Sequence, residues 1–235
     1  MFFMKEKLFH VLNRGVDKRL IFADDQDRFR FVHDLFEFND EELVNTTFHK
    51  FQKHKTNHNV IGSREVVLEK RRPRKFLVNI HAFTLMPNHY HLLLSPVVEN
   101  GMSRFMHKLN LGYSRYFNER HERKGTLFEG RYKQILISSE SHFIHLPYYI
   151  HLNCLDLVYP EWRRRELKDF KKALMFLNKY RWSSHLDYLG IKNFPSVTQR
   201  EFLMEFFGNA EKYQQSIEGW LSDFDLSNMT TLTLE

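Results

Sequence analysis

The chain has 235 residues, of which 42% are hydrophobic and 27% charged, so it can bury a core and is neither a fibrous repeat nor a chain dominated by disorder. Its one cysteine, Cys154, excludes an intramolecular disulfide and a zinc site of several thiolates, and it favours a reducing compartment. Lys5, Glu6 and Lys7 interrupt the apolar start, and no run of about 18 uncharged apolar residues occurs, so we expect a cytoplasmic protein.

The net charge of +6 is unevenly distributed along the chain. Residues 201–235 contain seven acids and one base, which leaves the first 200 residues with 34 bases against 22 acids. A basic body of this kind attracts polyanions, of which nucleic acid is the usual one. Many basic proteins bind no nucleic acid, so charge alone assigns no function.

The first elements are a strand and a helix. Residues 7–16 predict a strand that closes in the turn-prone Asn13-Arg14-Gly15, and apolar residues at helical spacing predict a helix over residues 25–38. Residues 40–75 are polar and end in a dense basic run. Such a stretch is typical either of a solvated insertion or of a phosphate-binding arm.

A β-hairpin and a long helix follow. Residues 76–86 and 89–94 are apolar and β-branched, and the Pro87-Asn88 turn between them predicts that they pair. Residues 101–122 carry a broad apolar stripe with Lys and Arg opposite, which predicts a second helix.

A fourth strand and a third helix complete the pattern. Residues 126–138 alternate as a strand does, and Ser139 opens a helix that extends to Asn153. Pro147 lies inside this segment, so the helix either kinks or begins there. The order β-α-β-β-α-β followed by helix predicts an α+β, ferredoxin-like fold, an antiparallel sheet with helices on one face, and additional helices after residue 160.

The histidine pair His89-Tyr90-His91 lies in the second strand of the hairpin. Side chains at i and i+2 of a strand project from the same face, so the two imidazoles can share one divalent ion. Fourteen histidines in the chain make accidental pairs common, and the pair alone fits a structural role better than a metal site.

Tyr149 and Asn153 are four residues apart and share one face of the third helix. An amide oxygen there could complete a His, His, Asn ligand set, with a phenol beside the metal that attacks a phosphodiester in line. Most helical tyrosines simply pack against a sheet, and Tyr148, Tyr113 and Tyr116 are rivals on the same spacing.

Five segments in order resemble one family, the single-tyrosine HUH transposases, which include the REP-associated tyrosine transposases. They are the following: Phe9-His10-Val11-Leu12-Asn13-Arg14-Gly15; Leu85-Met86-Pro87-Asn88 with His89-Tyr90-His91; Tyr116 through Lys133; Tyr149-Ile150-His151-Leu152-Asn153; and Trp182-Ser183-Ser184 through Tyr188-Leu189-Gly190. Together these segments span residues 7–190. As an ordered set they are specific, whereas singly only the histidine pair and the Tyr-to-Asn block are informative.

The resemblance implies that Tyr149 is the nucleophile and that His89, His91 and Asn153 bind a divalent metal, Mg²⁺ or Mn²⁺. It implies cleavage of single-stranded DNA beside an imperfect hairpin, with a 5′-phosphotyrosine and a free 3′-OH that can reverse the step on another strand. Residues 1–158 would form the catalytic domain and residues 159–235 a C-terminal helical extension. Both a monomer and a homodimer occur among such enzymes, and we expect no membrane partner.

Two features depart from the family. Cys154 follows Asn153 where the family usually has proline, which would let the helix continue. The stretch from residue 41 to residue 66 is longer than expected between the first helix and the second strand, so DNA contacts of relatives with short loops do not transfer directly.

The basic residues include the candidate DNA contacts. Arg131 and Lys133 share one strand face and are the first choice for holding a phosphate. The other predicted contacts are Arg14, Lys70, Arg71, Arg72, Arg74 and Lys75. Additional candidates are Arg120, Arg123, Lys124 and Arg163 to Arg165, with Phe128 and Tyr132 as possible stacking platforms.

Two other functions compete with a transposase. The first is a DNA-binding or regulatory protein that keeps the fold without cleavage, because fold and activity separate easily. The second is a metal-dependent hydrolase of small phosphoesters, which would have an enclosed pocket. The sequence has no Gly-rich phosphate loop to support the hydrolase.

Overall fold

A computed structural model describes residues 7–42, 73–164 and 166–223 of the chain. Four antiparallel strands form one sheet: β1 (Phe9–Arg14), β2 (Val78–Met86), β3 (His89–Pro96) and β4 (Lys133–Leu136). Their order across the sheet is β2-β3-β1-β4. This order, with β1 between β3 and β4, is the one that the split β-α-β pattern predicts, and the α+β, ferredoxin-like fold is confirmed.

The described α-helices are α1 (Asp25–Glu37), α2 (Gly101–Arg120), α3 (Glu140–Leu152), α4 (Phe170–Leu177), α5 (His185–Tyr188), α6 (Glu201–Phe207) and α7 (Ala210–Asp223). Short 3₁₀ helices cover Val16–Lys18, Asn153–Leu157 and Pro160–Arg164. The predicted bounds of the first two helices agree with the structure to within two residues. Among the described residues, none of the helices combines the length and the apolar character needed to cross a bilayer.

Helices α1 and α2 pack on one face of the sheet. Phe31 and Leu109 of these helices belong to one buried cluster with the strand residues Val11 and Leu92. Two side chains cap the N-terminus of α1: the Asp24 carboxylate accepts a hydrogen bond from the Asp27 backbone N–H, and the Asp27 carboxylate accepts one from the Ala23 backbone N–H.

Helix α3 and the later helices cover the opposite face. Leu93 on β3 lies in a second buried cluster with Leu146 and Ile150 of α3 and Tyr213 and Ile217 of α7. Both faces of β3 are therefore buried, which explains the apolar run Leu92-Leu93-Leu94 at its centre. Residues assigned to the C-terminal extension thus share a core with α3.

The structure shortens one predicted strand and decides between two predicted starts of one helix. Strand β4 is only Lys133–Leu136, because the chain before it contacts β1 irregularly, through a bridge from Phe128 to Gly15. Helix α3 continues through Pro147, with Ser139 as its cap, so the alternative start at Pro147 is wrong. The chain winds on past Asn153 as a 3₁₀ helix, as the absence of proline there predicts.

The segment Trp182–Ser184 covers the outer edge of β2. Leu85 donates a backbone hydrogen bond to the Trp182 carbonyl at 2.9 Å, and Ser184 donates one to the Phe83 carbonyl at 3.0 Å. An uncovered edge strand would expose unpaired backbone groups to other chains, so this segment completes the sheet.

Candidate active site

His89 and His91 lie side by side on the α3 face of β3. Their ring centroids are 5.0 Å apart, His91 is fully buried and His89 is 9% exposed. His89 Nδ1 is 2.7 Å from Asn88 Oδ1, and the Asn88 amide nitrogen donates to the Lys18 carbonyl, which fixes the orientation of this amide. A neutral His89 therefore donates from Nδ1 and carries its lone pair on Nε2.

His10 on β1 is the next imidazole in the row. Its Nε2 is 2.9 Å from His91 Nδ1, and the two rings stack with centroids 5.2 Å apart. His10 is fully buried. With His91 Nδ1 as the donor of this bond, His91 Nε2 carries the lone pair and would be the nitrogen that binds a metal.

Thr84 on β2 fixes α3 over these rings. Thr84 pairs with His91 across the β2–β3 ladder, and its hydroxyl donates to the Ile150 carbonyl at 2.7 Å. Both groups are buried, so the bond is costly to break. The residue before Ile150 is Tyr149, which is thereby held next to the histidines.

Tyr149 packs against the imidazoles with its ring edge-on. Its ring centroid is 6.0 Å from that of His91 and 6.3 Å from that of His10. The Tyr149 hydroxyl accepts a hydrogen bond from Arg163 Nη1 at 3.0 Å, and the residue is fully buried. The phenol is thus beside the histidine pair and within reach of a cation.

The rival tyrosines lie elsewhere. Tyr113 belongs to the α1/α2 core, where its hydroxyl donates to the Ile21 carbonyl and burial raises its pKa. Burial, with Asp27 nearby, raises the pKa of Tyr116 to about 12. Tyr148 packs against Phe207 and Trp220 on the outer side of α3. Of the four candidates, Tyr149 is the one with ring contacts to His91 and His10.

Asn153 is at the C-terminal end of α3 and fully buried. Its amide nitrogen donates to the Tyr149 carbonyl at 2.9 Å, and its Oδ1 accepts from Arg163 Nη2 at 2.7 Å. The oxygen predicted to bind a metal is therefore engaged by a guanidinium in this structure.

The donor chemistry of the histidine pair fits a divalent ion, because each ring has its Nδ1 bonded to an orienting partner and Nε2 remains the ligand nitrogen. The predicted third ligand, Asn153, is hydrogen-bonded to Tyr149 and Arg163 in the structure. Over residues 7–42, 73–164 and 166–223, no group of three or more His, Cys, Asp or Glu side chains is arranged to hold a metal. Asn153 could join the pair only by exchanging its bond to Arg163.

Three of the predicted DNA contacts converge on one pocket. Arg14, Arg131 and Lys133 line a cavity of about 240 Å³ at the junction of β1 and β4, together with Asn13 and Glu129. Three cations around one cavity can neutralise a phosphate. Arg131 also borders a larger cleft of about 650 Å³ that runs along α2 and includes Phe128 and Tyr132.

The other predicted contacts are placed differently. Arg74 binds the C-terminal end of α1, where it donates to the Phe36 and Glu37 carbonyls and stacks on the Phe36 ring. Lys75 is exposed. Lys70, Arg71, Arg72 and Arg165 lie outside the described residues, as does most of the 40–75 insertion.

Sequence reasoning gave no role in the site to His10 or Thr84, and it considered Arg163 only as a DNA contact. His10 could have been noticed from the sequence, because it lies in the first predicted strand, which is one of the segments that resemble the family. Thr84 gave none, since a threonine in a strand is ordinary.

The matches to known proteins include a family model and a solved structure. Residues 43–153 match the family model described as "Transposase IS200 like". The structure of a REP-associated tyrosine transposase bound to a REP hairpin is similar over 84% of this chain and 87% of that chain, with 12% identity and a TM-score of 0.43. No sequence among the curated proteins matches the chain significantly.

Proposed function

We propose that the protein is an IS200-like transposase, an enzyme that cleaves and rejoins single-stranded DNA, and the match of residues 43–153 to that family model supports this. Tyr149 is the proposed nucleophile, and the product is a 5′-phosphotyrosine with a free 3′-OH. The proposed metal ligands are His89 and His91, with Asn153 as the third. The proposed catalytic domain is residues 1–158, and residues 159–235 are its extension.

The observation that carries this proposal is the position of the Tyr149 ring. Its centroid lies 6.0 Å from that of His91, on a helix that Thr84 anchors to the sheet. A phenol is a poor nucleophile at neutral pH, so it needs a charged environment and a fixed phosphate to react. Arg163 supplies a positive charge at the Tyr149 hydroxyl, and the neighbouring histidine pair offers nitrogens that would bind a metal cation.

The chemistry is an exchange of esters. The bond from the Tyr149 oxygen to phosphorus forms as the bond from phosphorus to the 3′ oxygen breaks. The phenol gives up one proton and the departing 3′ oxygen takes up one, so the step needs no external energy source. The protein then has to orient the phosphate and neutralise its charge.

We propose Mg²⁺ or Mn²⁺ as the working ion, held by the Nε2 atoms of His89 and His91. When bound, it would act as a Lewis acid on the scissile phosphate. Nitrogen ligands have a higher intrinsic affinity for zinc, nickel or copper, so the choice of ion has to be measured with a panel of metals.

The proposed substrate is a single strand that carries a hairpin, as the sequence resemblance implies. The pocket lined by Arg14, Arg131 and Lys133, at the junction of β1 and β4, supports a contact with a phosphate of the DNA. The protein would act as a monomer or as a homodimer.

A second candidate function is DNA binding without cleavage. It is favoured by one observation, the bond from Arg163 to the Asn153 oxygen, which occupies the proposed third ligand. A protein that keeps this bond would retain the basic pocket and bind DNA without assembling the metal site.

Covalent capture separates the two functions. The protein is incubated with hairpin-bearing single strands and Mn²⁺, and the mixture is denatured and separated by electrophoresis. We expect an adduct that survives denaturation and disappears in Tyr149→Phe. Tyr148→Phe is the matched control and should form the adduct. DNA binding without any adduct, under every metal tried, would favour the second function.

A further inference from the structure

Arg163 is the residue that joins the parts of the candidate site. It lies in the 3₁₀ helix Pro160–Arg164, which follows α3 in the chain. Its Nη1 donates to the Tyr149 hydroxyl at 3.0 Å, its Nη2 donates to Asn153 Oδ1 at 2.7 Å, and its guanidinium lies 5.2 Å from the centre of the Tyr149 ring. One cation therefore contacts both the proposed nucleophile and the proposed third ligand.

The guanidinium is itself held rigidly. Asp156 accepts from Arg163 Nε at 2.8 Å and from Nη2 at 2.5 Å, a two-point bond between planar groups. Trp162 Nε1 donates to the same carboxylate at 2.7 Å, and the Trp162 side chain is almost fully buried. A surface ion pair would not need this second support, so the arrangement is that of a preorganised cation.

We infer that Arg163 is a catalytic residue of strand cleavage and that Asp156 and Trp162 are its positioning residues. The inference rests on the proposed function and adds a residue to it. Arg163 holds the Tyr149 oxygen in place, stabilises the negative charge on that oxygen once the phenol has given up its proton, and stabilises the negative charge of the phosphate as the oxygen–phosphorus bond forms.

The bond to Asn153 gives Arg163 a second task. In this structure the Asn153 oxygen accepts a hydrogen bond from the Arg163 guanidinium. Release of Asn153 to a metal would leave Arg163 with Asp156 and Tyr149 as partners.

The test uses single-turnover formation of the covalent adduct by the full-length chain, with a saturating concentration of the DNA strand and Mn²⁺. Arg163→Gln should lower the saturating rate about 100-fold, the usual effect of losing one preorganised donor, and leave the affinity for DNA almost unchanged. Arg163→Lys, which keeps the charge but not the planar fork, should lie between this variant and the wild type. Asp156→Asn should reduce the rate less than Arg163→Gln.

The matched control is Arg104→Gln, which removes the same charge from α2, where Arg104 pairs with Glu41 at 3.7 Å. It should cleave like the wild type. Chemical rescue distinguishes a catalytic role of Arg163 from a purely structural one. Added guanidinium ion should restore adduct formation by Arg163→Ala and should not accelerate adduct formation by Arg104→Ala. Melting curves of all variants are recorded, and if Arg163→Gln fails to fold, Arg163→Lys and Asp156→Asn decide the question.

The outcomes are distinct. If the wild type forms no adduct with any metal, the proposed function fails and this inference fails with it. If the wild type forms the adduct and the Arg163 variants match Arg104→Gln, only the inference is overturned. It is also overturned if the Arg163 variants lose affinity for DNA but keep the saturating rate, because Arg163 would then be a DNA contact.

Discussion

His10 and His91 lie on neighbouring antiparallel strands with their rings stacked, and His10 Nε2 is 2.9 Å from His91 Nδ1. A ring bonded in this way keeps one orientation, which is what partners of metal-binding histidines provide. His10 therefore belongs to the candidate site although it is not one of the proposed ligands.

Replacement of His10 by alanine should weaken metal binding at the site by a factor of about 10 to 100, because His91 loses its orienting partner. The Mn²⁺ concentration that gives half-maximal adduct measures the effect, and calorimetric titration of Mn²⁺ gives an independent value. The control is His33→Ala, which changes a partly exposed histidine on α1. Equal Mn²⁺ requirements in the two variants would contradict the role of His10.

Thr84→Val should destabilise the protein by about 1–3 kcal/mol, since the buried Ile150 carbonyl loses its hydrogen-bond donor while the volume of the side chain is kept. It should also slow adduct formation, because α3 carries Tyr149. Urea unfolding measures the free energy, and Thr126→Val in an exposed loop is the control. An unchanged free energy of unfolding would show that the bond to Ile150 is dispensable.

The buried imidazoles of His151 and His185 predict an acid-sensitive fold. Burial lowers the pKa of His185 from 6.5 to about 3, and burial together with the neighbouring His185 lowers the pKa of His151 well below 6.5. The unfolded chain binds these protons at higher pH than the folded chain does. The stability from the neutral rings is therefore complete above pH 6.5 and is lost as the pH falls towards about 3.

Urea unfolding between pH 7 and pH 4.5 tests this expectation. His185 hydrogen-bonds to Tyr213 and Asn178, so His185→Gln changes the absolute stability, and the slope against pH is the quantity to compare. Removal of one such proton should flatten the slope by up to about 1.4 kcal/mol per pH unit. Parallel slopes in the wild type and the variant would mean that His185 is protonated equally in both states.

The pocket of Arg14, Arg131 and Lys133 predicts a salt-dependent affinity for single strands. Arg131→Gln and Lys133→Gln should each weaken binding for all sequences and reduce the slope of log affinity against log salt by about 0.7. Fluorescence anisotropy over a series of salt concentrations measures both quantities, with Arg104→Gln as the control of equal charge. Variants with the wild-type slope would place the phosphates elsewhere.

The elements that could be predicted from the sequence are those that local patterns define. The spacing of apolar residues predicted α1 and α2, the Pro87-Asn88 turn predicted the hairpin, and Ser139 predicted the start of α3. These predictions were possible because periodicity and capping depend on neighbours in the chain. Strand β4 came out shorter than predicted, since the irregular approach of Phe128 to Gly15 depends on contacts with a distant strand.

The same division holds for the candidate site. The sequence by itself determined that His89 and His91 share a strand face and that Tyr149 and Asn153 share a helix face, because the periods of strand and helix fix those directions. Only the tertiary structure decided that the second face lies over the first, that His10 completes the row, and that Arg163 contacts the phenol and the amide. These contacts join residues far apart in sequence, and their geometry follows from the docking of α3 on the sheet through Thr84, which no local pattern encodes.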